Sequence, residues 1–189
     1  SYIYAHVAKK AGVKDYITTY MFQTPPYLSD KMDLAKALAQ IELAESQADE
    51  RFRIWRQTRT GLFSYPVDPA HARAQLAGTV YLQMALRPDI VHVVGYTEAD
   101  HAANAQEVIE SCKMANWVIQ TCLKGMPDMT ADPEVQRRKN QLVEETMVVI
   151  DAIRGLGAGR VEDPLFDPAT LAYAVKVGLL DAPQLKNNP

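Results

Sequence analysis

Three groups of side chains in this chain are of types that do chemistry. Glu98, Asp100 and His101 fall within four positions, a cluster that can supply a general acid, a general base or part of a metal site. Arg56 and Arg59 stand three apart with Gln57 between them. Two guanidinium forks leaving one strand together suit a carboxylate or phosphate, which they grip through paired charge-assisted hydrogen bonds. Tyr20, Gln23 and Thr24 follow the first β-type run, and Tyr96 and Thr97 lead into the acidic cluster. Each has a plainer use: loop arginines are commonly solvated or paired with nearby acids, and Asp100 suits the N-cap of the next helix. No metal is expected, because one loop does not make ligands converge and no H-E-x-x-H or C-x-x-C spacing is present. His92 reads as a satisfied core histidine, and Trp55, Tyr65, Tyr81 and Trp117 as core aromatics.

The elements that would position these groups alternate. Short β-type runs over residues 16–21, 52–55 and 90–94 each precede a helical pattern, and the strand starts fall about 37 residues apart. Leu34, Leu38 and Ile41 form one helical stripe, with Asp30 available as N-cap. Asp68-Pro69, Asp132-Pro133 and Asp167-Pro168 each read as a cap followed by proline in the first turn. The helix containing Cys112 and Cys122 stops at Gly125, with Pro127 beyond. Strands alternating with helices predict a parallel sheet, and no glycine-rich phosphate loop follows any strand. We therefore expect an α/β fold, specifically a partial (β/α)8 TIM-type barrel with long C-terminal helices. It forms a single domain over residues 1–189, the C-terminal part of a barrel chain, and an open doubly wound sheet is the alternative. In a barrel the functional groups belong to the loops leaving the C-terminal strand ends.

Bulk properties narrow the classes. The chain is 48% hydrophobic and 23% charged, with a formal net charge of −3. It can bury a substantial core, and it lacks the basic stripe that nucleic acid would require. No stretch approaches the roughly 20 apolar residues of a membrane span, so a cytoplasmic protein is expected, with its two cysteines reduced and buried. The chain opens on Ser1, inside what reads as an element, which suggests a piece of a larger protein with fewer strands than a closed barrel needs.

Several stretches together resemble a known family. They are Arg59-Thr60-Gly61-Leu62-Phe63 through Pro66, the Ala-rich helix over residues 70–86, and Asp89-Ile90-Val91-His92-Val93-Val94 leading to Glu98-Ala99. Next come the helix over 105–125, Met126-Pro127-Asp128-Met129, the acidic helix ending Ile153-Arg154-Gly155-Leu156-Gly157, and Gly178-Leu179-Leu180-Asp181-Ala182-Pro183. In order and spacing they resemble the later half of the large (E) subunit of glutamate mutase, or methylaspartate mutase.

The resemblance implies a barrel whose mouth meets a small cobalamin-binding subunit, with adenosylcobalamin held between them and a radical carbon-skeleton rearrangement as the reaction. It places Glu98, with Tyr96 and Thr97, at the cofactor ribose. Arg56, Arg59, Tyr20 and Gln23 would line the mouth toward a small carboxylic-acid substrate, and an oligomer is expected. Two family lysines fall on Val94 and Ile90, where an aliphatic side chain replaces a cation. The corrin-binding D-x-H-x-x-G motif is absent, so the corrin would belong to the partner. A non-catalytic scaffold that docks a partner, and a cobalamin-independent enzyme acting on a small carboxylic acid, are the alternative expectations.

Overall fold

The computed structural model describes residues 1–181. Of the stretch that ends the family resemblance, Ala182 and Pro183 lie outside the described residues. Helix α1 (Tyr2–Lys10) leads through Gly12 into strand β1 (Asp15–Phe22). Along β1 the burial alternates: Thr18, Tyr20 and Phe22 point inward, while Ile17, Thr19 and Met21 are exposed. That period of two marks a strand covered on one face.

Helix α2 (Asp30–Glu45) returns the chain, followed by β2 (Arg53–Thr60), α3 (Pro69–Met84) and the short β3 (Ile90–His92). All three strands are parallel in the order β1-β2-β3. The register sets Phe22 beside Thr60 and Arg59 beside His92, so the strand ends lie level. Two long helices, α4 (Ala105–Leu123) and α5 (Pro133–Gly157), and the shorter α6 (Pro168–Lys176) follow.

The proline-headed helices start where their caps demand. The carboxylates of Asp68, Asp132 and Asp167 accept first-turn backbone N–H bonds of α3, α5 and α6, satisfying donors that a helix start leaves free. Two expected caps differ. Ser29, not Asp30, caps α2, and Asp30 becomes its first residue, where its charge still complements the dipole. Asn104, not Asp100, caps α4 in a reciprocal box with Glu107. A cap must sit directly before the first turn, and Asp100 lies four residues too early.

One core cluster joins Tyr20 and Phe22 to Leu34, Ile41, Leu86 and Val135. A second joins Val94, Tyr65 and Tyr96 to Leu76 and Ala115. Both lie under the helices. The opposite face of the sheet is uncovered, with Ile17, Met21 and Ile90 exposed on it.

The barrel expectation is therefore corrected. Among the described residues there are three parallel strands and six α-helices, an α/β arrangement with no eight-stranded barrel. The alternation of strand and helix specifies parallel pairing through crossover helices, but it does not specify closure, which needs strands this stretch does not supply.

The core assignments also change. Trp117 is 73% exposed and His92 lies exposed on the uncovered face. Cys112 is exposed, while Cys122 is buried and its thiol is pushed up by that burial. No described helix is long and apolar enough to cross a membrane.

Candidate ligand site at the strand ends

The second strand is longer than the expected 52–55 and runs through Thr60. This places Arg56 in mid-strand rather than in a loop. Its fork reaches Glu45 of α2 through Nε to Oε1 at 2.6 Å and Nη2 to Oε2 at 2.9 Å. Its Nη1 donates to the Leu86 carbonyl at 3.1 Å. Every arm of Arg56 is thus used to tie β2 to the helices.

Tyr20 is buried on the same covered face, and burial pushes its phenol upward. Arg59 alternates onto the uncovered face, next to Met21 and His92. Its Nε is shielded from solvent yet has no hydrogen-bond partner among the described residues. On that same face Gln57 Nε2 donates to Thr19 Oγ1 at 2.9 Å.

Beyond Thr60 the chain makes a single 3-10 turn, Leu62–Ser64, before Tyr65. Gly61 permits the close approach that starts the turn: its N–H donates to the Phe22 carbonyl at 2.8 Å, and a Cβ there would collide with Thr24 Oγ1. Ser64 Oγ donates to the Gly61 carbonyl and accepts from Gln75 Nε2, both at 2.8 Å, which pins the turn to α3. Tyr65 is thereby held inward with its hydroxyl beside Thr60 but without a well-aligned hydrogen bond. Burial pushes this phenol up to about 12; the Thr60 hydroxyl opposes the shift, the charge of Glu98 adds to it, and Arg59 opposes it.

The loop after β3 brings the remaining groups. The Tyr96 hydroxyl donates to Glu110 Oε2 at 3.0 Å and accepts from Arg73 Nη2 at 2.9 Å. Arg73 also pairs with Glu110 at 2.7 Å and holds that carboxyl below its ordinary range. Tyr96 therefore joins α3 to α4. Thr97 is buried with its Oγ1 unpartnered among the described residues. Its carbonyl accepts the N–H groups of Asp100 and His101 at 2.8 and 3.0 Å, which turns the chain and leaves Glu98 exposed at the apex.

At the ends of β2 and β3 the charges of Glu98 and Arg59 both act on the Tyr65 phenol, and Thr97 precedes Glu98 in the chain. The structure separates Tyr20, Arg56 and Gln23 from them. Gln23 lines a distinct cavity of about 250 Å³ between α2 and α3, with Asp30 and Thr79. A larger cavity of about 730 Å³, lined by Lys9, Lys14, Asp15 and Arg53, lies at the opposite ends of the strands.

Two features carry little signal in the sequence. Tyr65 read only as a core aromatic; its place directly after a Gly-led turn at a strand end was the available signal. Asp33 is fully buried and accepts from Gln23 N and Lys36 Nζ, both at 2.6 Å, while Lys36 also donates to the Thr24 carbonyl at 2.7 Å. This pair fixes the loop after β1 and had no sequence signal beyond its i,i+3 spacing.

Position 94 bears on the family resemblance. Val94 is 5% exposed and packs in the core with Tyr65, Ala72, Leu76 and Ala115, so its aliphatic side chain is enclosed there. Ile90 lies on the uncovered face. Among the described residues no cluster of His, Cys, Asp and Glu is arranged to hold a metal. Searches against known protein families and against curated proteins return no match.

Proposed function

We propose that this chain is the substrate- and ribose-facing component of a cobalamin-dependent carbon-skeleton mutase of the glutamate mutase type. It works in the cytoplasm, within an oligomer, beside a small corrinoid-binding subunit. The supporting observation is that Arg59 and Glu98 both act on Tyr65 at the strand ends, and that Arg59 Nε, the Tyr65 hydroxyl and the hydroxyl of Thr97, next to Glu98 in the chain, have no partner among the described residues. Buried polar groups ordinarily find partners, and such groups beside an exposed carboxylate suit a ligand rich in hydroxyls and carboxylates.

Adenosylcobalamin, when bound, supplies hydrogen-atom abstraction through homolysis of its cobalt–carbon bond. The chain's own residues have narrower tasks. The Glu98 carboxylate accepts ribose hydroxyl protons in hydrogen bonds. Arg59 holds the carboxylate of a small acid through its unused fork. Tyr65, kept neutral by its raised pKa, donates its hydroxyl and does not act as a base. The residues fit the nucleoside part of the cofactor from this side only, and the corrin is left to the partner.

The experiment mixes the chain with a D-x-H-x-x-G corrinoid-binding subunit and adenosylcobalamin, desalts, and records the visible spectrum. A retained cobalamin spectrum is expected, with affinity falling about 10- to 100-fold in Glu98→Gln, the scale of one charge-assisted hydrogen bond. Loss of the spectrum on desalting overturns the proposal. The burial of Val94 favours a second reading, a non-catalytic protein that docks the same partner. Under it the partner binds, and Glu98→Gln changes neither partner nor cofactor affinity.

A further inference from the structure

His101 sits between two carboxylates on different elements. Nδ1 lies 2.8 Å from Asp100 Oδ2 in its own loop, and Nε2 lies 3.0 Å from Glu107 Oε1 in the first turn of α4. Carboxylates only accept hydrogen bonds, and a neutral imidazole carries one N–H. Both contacts can be hydrogen bonds only when the ring is an imidazolium. Asp100 and Glu107 are also the charged groups that act on His101 among the described residues.

The two carboxylates are not equally movable. Glu107 Oε2 accepts the Asn104 N–H at 2.8 Å, and the Glu107 N–H donates to Asn104 Oδ1 at 3.0 Å, closing the capping box of α4. Asp100 belongs to the turn folded over the Thr97 carbonyl, the turn that projects Glu98. The Glu107 end of the bridge is held by the capping box of α4, whereas Asp100 and His101 share one turn and both donate their N–H groups to the Thr97 carbonyl.

We propose that His101 is a charge-dependent latch, which as an imidazolium ties the loop over residues 96–101 to the start of α4 and as a neutral ring releases it. When the proton leaves, one ring nitrogen presents a lone pair to a carboxylate, and that contact turns repulsive. The capping box keeps Glu107 in place, so when the one N–H left on the neutral ring stays with Asp100 in its own turn, the Nε2–Glu107 contact is lost and the turn carrying Glu98 separates from α4. The bridge resists this, because Asp100 first and Glu107 second raise the His101 pKa above its ordinary value. A raised folded-state pKa means the latch is fully closed below the ordinary value of about 6.5 and opens as pH climbs through the folded value. The positioning of Glu98 then becomes a function of pH above the ordinary histidine value.

The test needs no ligand, so its outcome is independent of the mutase reading. Backbone amide shifts of residues 96–101 are followed by 15N NMR from pH ~5 to ~9, alongside the His101 ring protons. The Glu98 and Asp100 amides are expected to titrate together with the His101 ring, at a pH above that of a free histidine. His101→Gln removes the shared transition. Glu107→Gln keeps a capping-box residue and moves the transition to lower pH. Amides that show no transition in the native chain, or one that survives in His101→Gln, overturn the latch.

Discussion

Arg56 and Arg59 leave the same strand three residues apart and meet opposite fates. Arg56 points to the covered face, where Glu45 and the Leu86 carbonyl occupy its whole fork. Arg59 points to the uncovered face, where its Nε is shielded and has no partner among the described residues. The two differ in what their neighbours already satisfy. Beneath the helices, charge is spent on holding layers together. On the other face, Met21 and His92 flank Arg59 in the register, and its Nε is left without a hydrogen-bond partner among the described residues. Parallel sheets are normally buried on both faces, so this face is the one left to meet something outside the described residues.

The contrast can be broken first at its most buried point. Asp33 is fully buried and holds both the Gln23 N–H and Lys36. Removing one partner of a buried pair leaves the other charge uncompensated, so Asp33→Ala should lose about 3–5 kcal/mol in urea unfolding. A loss below about 1 kcal/mol would mean that the covered side is no more committed to structure than the surface. Arg56→Met comes next. Its fork is partly solvated, with Arg56 31% and Glu45 36% exposed, so the expected loss is about 1–2 kcal/mol. A Met at 56 that melts with the native chain would erase the distinction between the two arginines.

The distinction was hidden in the sequence, where Arg56 and Arg59 both read as loop residues after a strand ending at 55. Arg-Gln-Thr-Arg-Thr has no apolar alternation, because the covered face at this end of β2 is lined by threonines. Thr58 and Thr60 are buried there, so a polar run concealed five more residues of strand. β1 shows the opposite case: Tyr20 and Phe22 alternate with exposed residues, and its span was readable to within a residue at each end. Helix starts were readable wherever Asp preceded Pro, because that pair satisfies and omits first-turn donors at once. The Asn104–Glu107 box was equally local, but the nearer Asp100 competed for the same role. Closure into a barrel was not readable, since it depends on strand number and stagger rather than on any local pattern. Glu98 was legible at the site from its place after β3. Tyr65 was not, because its hydroxyl matters only once Arg59 and Glu98 are folded beside it.

Arg59→Met sharpens the comparison with the smallest effect on stability and the clearest effect on binding. The residue makes no hydrogen bond through Nε, and a shielded donor without a partner carries a desolvation cost. Methionine keeps most of the apolar stem, so unfolding free energy should stay within about 0.5 kcal/mol of the native chain or rise slightly. A carboxylate probe behaves differently. Succinate titrated into the native chain by calorimetry should bind weakly, and Arg59→Met should weaken it by about tenfold or more, the scale of a lost guanidinium fork. Arg56→Met should leave succinate binding unchanged while it costs stability, because that fork is already full. If succinate binding is insensitive to Arg59 but lost with Arg56, the assignment of the two faces is reversed. The uncovered face would then be an unfinished packing surface instead of a ligand-facing one.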